Sequence, residues 1–275
     1  MQPLEIPKEV TPEWLAKASP EDKLRLYKYG REIDRRLAQR LFFEIYPAEN
    51  TIWKGPTIMG GLVERGQILY ARDLYPKHME FLSAGSDYRE RCAMFGNRTG
   101  KTFGCGGYEV AAHLTGIYPD WWDGRRFEHP VSAWVAGKSY ETTRDILQLT
   151  LLGEVGFRDG RKIMDGRGMV PGHLLGRNTW RSGVQDLVDT QLVRHVSGQN
   201  SSLGFKSYDQ GRKAFEGTGR HIIWFDEEPP EDVYNEALIR TATVHGITIV
   251  TFTPLQGMSE VVLSFMPADQ RPEES

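Results

Sequence analysis

Residues 92–102 read C-A-M-F-G-N-R-T-G-K-T. Cys92–Phe95 is a short apolar run, Gly96–Gly100 is small, polar and turn-prone, and Gly-Lys-Thr opens a segment that can be helical to about Thr115. Strand, glycine-bearing loop and helix in that order make a phosphate-binding P-loop. Backbone N–H groups of the loop and helix N-terminus face the phosphates. Lys101 reaches the β- and γ-phosphates, and the Thr102 hydroxyl holds Mg²⁺. The spacing departs from G-x-x-x-x-G-K-[ST], because Phe95 takes the first glycine's place and Gly96 follows it. The candidate nucleotide-binding set is Gly96, Asn97, Arg98, Thr99, Gly100, Lys101 and Thr102. Arg98 adds a second cation able to touch the γ-phosphate. A bare Gly-Lys-Ser/Thr arises by chance in roughly one chain of this length in ten, so the rest of the chain has to decide.

The second signal is His221–Glu228, H-I-I-W-F-D-E-E. Four apolar residues read as a buried strand that delivers carboxylates at its C-terminal end, where ligands bind in α/β sheets. This is a Walker B arrangement, 125 residues beyond Lys101. Asp226 serves the Mg²⁺ shell and Glu227 polarises the attacking water, both oriented by apolar walls. Glu228, before Pro229 and Pro230, is expected to cap a helix from Glu231 to about Thr241. A final strand, Gly246–Pro254, ends in the hydroxyls of Thr251 and Thr253, a candidate γ-phosphate sensor and coupling element.

A chain of 275 residues buries a sizeable core, and 39% apolar with 26% charged residues is a soluble, globular composition. Net charge is −3 despite 34 Lys and Arg, so no global basic field points to nucleic acid and only local basic faces remain. Two cysteines, Cys92 and Cys105, suit a reduced compartment better than a disulfide framework. Neither a signal sequence nor a membrane-spanning run is present.

Thr11-Pro12-Glu13 and Ser19-Pro20-Glu21 read as helix starts. Arg31, Arg35, Arg36 and Arg40 crowd the helix that Pro47 ends, as a solvated or a phosphate-contacting face. Residues 48–67 read as Gly-rich loop. Tyr75, Pro76 and His78 stand where motor ATPases place an adenine-holding aromatic–Pro–x–Gln segment, with His for Gln. The aromatics of Tyr118–Phe127 suit core packing. Val131–Gly137 is a strand, and Ser139 caps a helix to about Leu152. Residues 153–185 read as an excursion from the main sheet. Strands follow at Val188–Val196 and Leu203–Tyr208.

Taken together the chain resembles the ATPase half of a tailed-phage terminase large subunit, the DNA-packaging motor. The resemblance is carried by G-N-R-T-G-K-T, L-Y-P-K-H, F-K-S-Y-D-Q-G-R-K-A-F-E-G-T-G, W-F-D-E-E-P-P and T-F-T-P-L-Q-G, and runs from about Ile68 to Gly257. It implies an ASCE-type P-loop NTPase: a central, mostly parallel β-sheet flanked by helices, with a helical lid region at 1–67, an ATPase core at 68–266 and a tail at 267–275. It implies ATP and Mg²⁺ as cofactors, and catalysis by Glu227, Arg98 and Lys101. It also implies a ring on the portal protein, monomeric in isolation, with a terminase small subunit, weak non-specific binding of double-stranded DNA, and a setting in the host cell cytoplasm. The family's nuclease would begin near Ser275, so no DNA cleavage is expected here. For the family's trans-acting arginine, Arg212 and Arg220 are the candidates, with Glu216 at the aligned place. The competing readings are a P-loop small-molecule kinase or helicase-like switch and, third, a non-enzymatic scaffold.

Overall fold

The computed structural model describes residues 11–27, 45–53, 67–158, 160–253, 259–267, 269 and 271. The expected arginine-rich helix before Pro47, the Pro-Leu-Gln-Gly segment after Thr253 and most of the tail lie outside the described residues. Thr11 caps the first helix, its Oγ1 accepting from the Trp14 amide at 3.2 Å.

The core is a seven-stranded sheet of order β3-β11-β10-β4-β9-β8-β7. Its strands are β3 (Glu90–Met94), β4 (Ser132–Gly137), β7 (Leu175–Trp180), β8 (Val188–Arg194), β9 (Asn200–Ser207), β10 (Ile222–Asp226) and β11 (Ile247–Phe252). From β3 to β9 every pairing is parallel, whereas β8 and β7 continue the sheet antiparallel. The pattern follows from composition. β10 and β11 are apolar almost without interruption and buried throughout, as strands covered on both faces must be. Ile222 and Trp224 enter one core with Val110 and Leu114 of the P-loop helix. Ile223 and Phe225 enter a second, with Val233 and Ala237 of the helix Glu231–Ala242.

Parallel strands end on the same edge, so the carboxyl ends of β3, β11 and β10 lie side by side. β3 runs into the loop 95–100, and Lys101–Gly107 then forms a π-helical turn that continues as α-helix from Tyr108 to Thr115. A Cβ at Gly106 would overlap the Trp224 indole, so only glycine lets this helix lie so close to β10. Strand and helix are also pinned beside the loop. The buried Arg91 of β3 forks onto both carboxylate oxygens of Glu109 and donates to the Phe81 carbonyl at 2.8 Å. His113 meets Glu109 at 3.1 Å and the Tyr118 hydroxyl at 2.9 Å. Trp122 and Phe127 are buried beside this network, in the packing role expected of that aromatic loop.

Three expectations are corrected. Within the stretch read as loop, Thr51–Trp53 (β1) pairs antiparallel with Gln67–Leu69 (β2). Residues 153–185 are only partly an excursion. Val155–Arg158 (β5) and Arg161–Met164 (β6) form a separate hairpin, but β7 returns to the edge of the main sheet. Its register shifts twice against β8, and each shift breaks the two-residue alternation by which a strand is read from sequence. Glu228 does not cap the helix: Pro230 holds the N-cap position without a side-chain bond, and the first-turn amide of Val233 donates instead to Asp232 Oδ1 at 2.9 Å.

Candidate active site

The loop 96–100 is exposed and shaped by two left-handed residues, Arg98 at φ 61° and Gly100 at φ 83°. Its floor is His78. The ring stacks on Tyr75 at 5.4 Å and on Phe95 at 5.6 Å, and Nδ1 meets the Tyr46 hydroxyl at 2.8 Å. Burial holds its pKa below the usual histidine value, against a backbone hydrogen bond with Thr99 of the loop. The ring is thus a wedge beneath the phosphate loop. Of the expected adenine-side residues, Tyr75 is half-buried and Pro76 exposed.

At the loop's far end the sequence-read residues converge. Lys101 is buried, and its Nζ donates to Thr253 Oγ1 at 2.6 Å. Thr102 Oγ1 donates to Asp226 Oδ1 at 2.8 Å. Thr251 Oγ1 donates to the same carboxylate oxygen at 2.7 Å while accepting from Trp224 Nε1 at 2.8 Å. β11 lies between the P-loop strand and the strand of Asp226, so Thr253, just past its end, meets the cation on one side and Thr251, within it, the carboxylate on the other. Arg98, Asn97 and Thr99 stand exposed above them.

Glu227 follows Asp226 with an exposed side chain and a left-handed backbone, φ 65°. For a residue with a Cβ that conformation is strained and persists only where surroundings impose it. Its amide donates to the Thr251 carbonyl at 2.8 Å, and its carbonyl lies 2.8 Å from the buried Tyr208 hydroxyl. The same hydroxyl lies 3.0 Å from the Asp226 carbonyl and 3.3 Å from that of Ala136. Sequence reading gave Tyr208 no role; a phenol at the end of β9 that reaches a turn 19 residues on has no local signature.

The candidate trans arginines lie elsewhere. Arg212 meets Glu236 at 3.2 Å and Glu216 at 3.7 Å. Arg220 precedes the amino end of β10, opposite the Asp226 end, with its guanidinium 4.2 Å over Trp134.

Burial pushes the Asp226 carboxyl up to about 6, against the pull of the Thr251 and Thr102 hydrogen bonds. The consequence for stability has a definite sign. A carboxyl whose pKa is raised on folding favours the folded state while protonated, below about pH 4, and that contribution is lost as pH rises through about 6. Asp226→Asn keeps an oxygen for both threonines and removes the titration. In metal-free buffer at pH 7.5 the variant should be more stable than the parent by about 3 kcal/mol, from roughly two pKa units at about 1.4 kcal/mol each. The gap should close below about pH 4. Paired thermal melts across that range check it; equal stability at both ends would contradict the buried, strained carboxylate.

The donor pair at this point, one carboxylate and one hydroxyl, is hard oxygen, which suits Mg²⁺ shared with substrate phosphates. No helix of the described residues is long and apolar enough to cross a membrane.

The family model described as terminase large subunit, T4likevirus-type, N-terminal, matches residues 92–275. The terminase large subunit of Salmonella phage P22 is 39% identical over 218 residues, which cover 72% of this chain and 42% of that protein. Among solved structures, a variant of the large terminase ATPase domain from a Thermus phage aligns with TM-score 0.42 and 15% identity, over 64% of this chain and 63% of that one. The large terminase of a thermophilic bacteriophage in complex with ADP aligns with TM-score 0.39 and 17% identity, over 65% of this chain and 37% of that one. By the match that begins on the P-loop strand itself, this chain belongs to the terminase large-subunit family, in its N-terminal region.

Proposed function

We propose that this chain is an ATP-hydrolysing domain that drives double-stranded DNA into a procapsid. The observation that carries the reading is the convergence of Lys101, Thr102, Asp226 and Glu227 at the ends of three neighbouring strands, joined through Thr251 and Thr253. ATP enters with its phosphates on the 96–100 loop and its base toward Tyr75 and Pro76, while His78 supports the loop from below. Lys101 leaves Thr253 to meet the β- and γ-phosphates, and Arg98 adds positive charge in cis. Thr102 and Asp226 would hold Mg²⁺, which supplies neutralising charge at the phosphate oxygens. Glu227 orients the attacking water and accepts its proton. Thr253, released by Lys101, and Thr251, bonded to Asp226, pass the state of the γ-phosphate along β11.

The reading includes partners: portal protein, small subunit and neighbouring copies in a ring. Arg212 or Arg220 would serve a neighbour's site, Arg212 after leaving Glu236. An arginine supplied in trans can raise turnover by about 10³–10⁵, so the isolated chain should be a slow, monomeric, Mg²⁺-dependent ATPase. Its specific activity should climb with protein concentration, or on adding portal and DNA. A flat concentration series at high turnover would remove the ring, and absence of any ATP hydrolysis under all these conditions would remove the enzyme.

Tyr208 should matter to the rate more than to binding. Tyr208→Phe keeps the ring but frees the Glu227 carbonyl, so kcat should fall about tenfold, roughly 1.4 kcal/mol in the barrier, with KM for ATP within about twofold. Steady-state kinetics on a variant confirmed folded decides it; an unchanged kcat shows that the turn holds Glu227 without the phenol.

A further inference from the structure

The central sheet has unequal faces. The P-loop helix packs on β8 and β9 over Val193, Leu203 and Phe205. On the opposite face the second core extends outward to Trp134 of β4 and stops. The register carries that face onward. Gly204 lies beside Trp134, and Ser202 and Lys206 flank it on β9. Thr190 pairs with Gly204 on β8, and Arg194 pairs with Asn200. Arg177 and Thr179, on either side of Asn178, extend it to β7. Arg177, Thr179 and Arg194 are exposed, and Thr190, Ser202 and Lys206 half-buried. The outer strands thus turn a mainly polar surface away from the P-loop helix, with the half-buried Leu192, paired with Ser202, as its apolar member.

Its charge is one-sided. Among the described residues, Arg177, Arg194, Lys206 and Arg220 have no carboxylate partner, whereas Arg181, Arg212, Arg240 and Lys162 each have one. Lys206 Nζ lies 4.9 Å and the Arg220 guanidinium 4.2 Å from the centre of the same Trp134 ring. Two like charges gathered on one indole repel, and an anion above them relieves the repulsion. Burial, with Arg181 and Arg220 nearby, holds the Lys206 ammonium below its usual pKa, against the opposing pull of the Asp189 carboxylate, itself paired with Arg181. Lys206 and Arg194 mark opposite ends of the face, about 20 Å apart at about 3.3 Å per residue.

We infer that this open face of β7, β8 and β9 is the docking surface for the phosphate backbone of duplex DNA. The inference rests on the DNA-handling reading above. A duplex carries a charge for about every 1.7 Å of its axis, so every cation on the face finds a phosphate, and Thr179, Thr190 and Ser202 add donors. The described residues of the face lie in strands, so binding is to backbone and independent of sequence. Lys206 stands two residues before Tyr208, whose hydroxyl meets the Glu227 carbonyl. DNA contact and water-orienting turn therefore sit at one end of β9.

The test compares two charge-matched double variants. Arg177→Ala with Arg194→Ala removes two cations from the face; Arg158→Ala with Arg161→Ala removes two exposed ones from the β5–β6 hairpin. Binding of a short random-sequence duplex is measured by fluorescence anisotropy across a salt series, with melting curves to confirm folding. The face variant should bind about tenfold more weakly at low salt, and its slope of log affinity on log salt should shrink by about two. The hairpin variant should match the parent. Equal losses in both variants would overturn the inference in favour of general charge. A parent that binds DNA while the face variant binds as well would overturn it and leave the DNA reading standing. No binding by the parent at low salt would remove both. Unchanged DNA binding with altered self-association by light scattering would reassign the face to contacts between copies.

Discussion

Glu227→Gln will bind ATP with Mg²⁺ as tightly as the parent and hydrolyse it at least about a hundredfold more slowly. The magnitude is that of losing a positioned proton acceptor, and the split between binding and rate follows from geometry. The Glu227 side chain is exposed at the site, whereas the groups expected to hold nucleotide and metal are Lys101, Thr102 and Asp226. Glutamine preserves size and leaves the backbone anchors at Thr251 and Tyr208 untouched. Single-turnover hydrolysis beside equilibrium titration with a fluorescent ATP analogue separates the two effects. Loss of binding with loss of rate would show that Glu227 is structural. A full-rate Glu227→Gln beside an inactive Glu228→Gln would move the catalytic role one residue on. Glu228 has the weaker claim, because it is half-buried and stands one residue further from Asp226, which meets Thr102.

Lys101→Ala should abolish measurable hydrolysis and also weaken ATP binding. Lys101 is buried and rests on Thr253, so its ammonium is presented to the loop interior at little further desolvation cost. Removing it takes the cation from the β- and γ-phosphates and leaves Thr253 without its partner. Two distinguishable effects follow: ATP affinity falls more than ADP affinity, and the variant stays folded because Thr253 is only half-buried. Titrations with both nucleotides and a melting curve check this. Parental turnover in the variant would overturn the P-loop assignment.

The sequence was legible where a feature is local. The C-A-M-F run, the glycine-bearing loop and the I-I-W-F strand ending in Asp226 each declare themselves within ten residues, and β3, β10 and their loops lie where that reading puts them. β11 was readable too, because Ile247–Phe252 is apolar or hydroxyl-bearing and buried throughout. Its position between the other two strands is a matter of topology and invisible to any window. The same limit hid Tyr208, which acts on a turn beyond the next strand, and Arg91, whose partner Glu109 lies one loop and two helical turns away. His78 was placed near the nucleotide by spacing alone. That its ring faces are occupied by Tyr75 and Phe95 follows only from packing. The register shifts in β7 erased the alternation that would have announced a strand.

The buried fork from Arg91 to Glu109 has a mechanical consequence. It ties the strand before the phosphate loop to the helix after it, so the two abutments of the loop cannot separate without stranding a buried charge, a cost of about 3–5 kcal/mol. Gly106, seated on the Trp224 indole, locks the same helix against sliding along the sheet. A lever needs a fixed fulcrum and a part that swings. On the proposed reading the fulcrum is the phosphate loop, and the swing falls to the carboxyl end of β11, where Lys101 would exchange Thr253 for a phosphate.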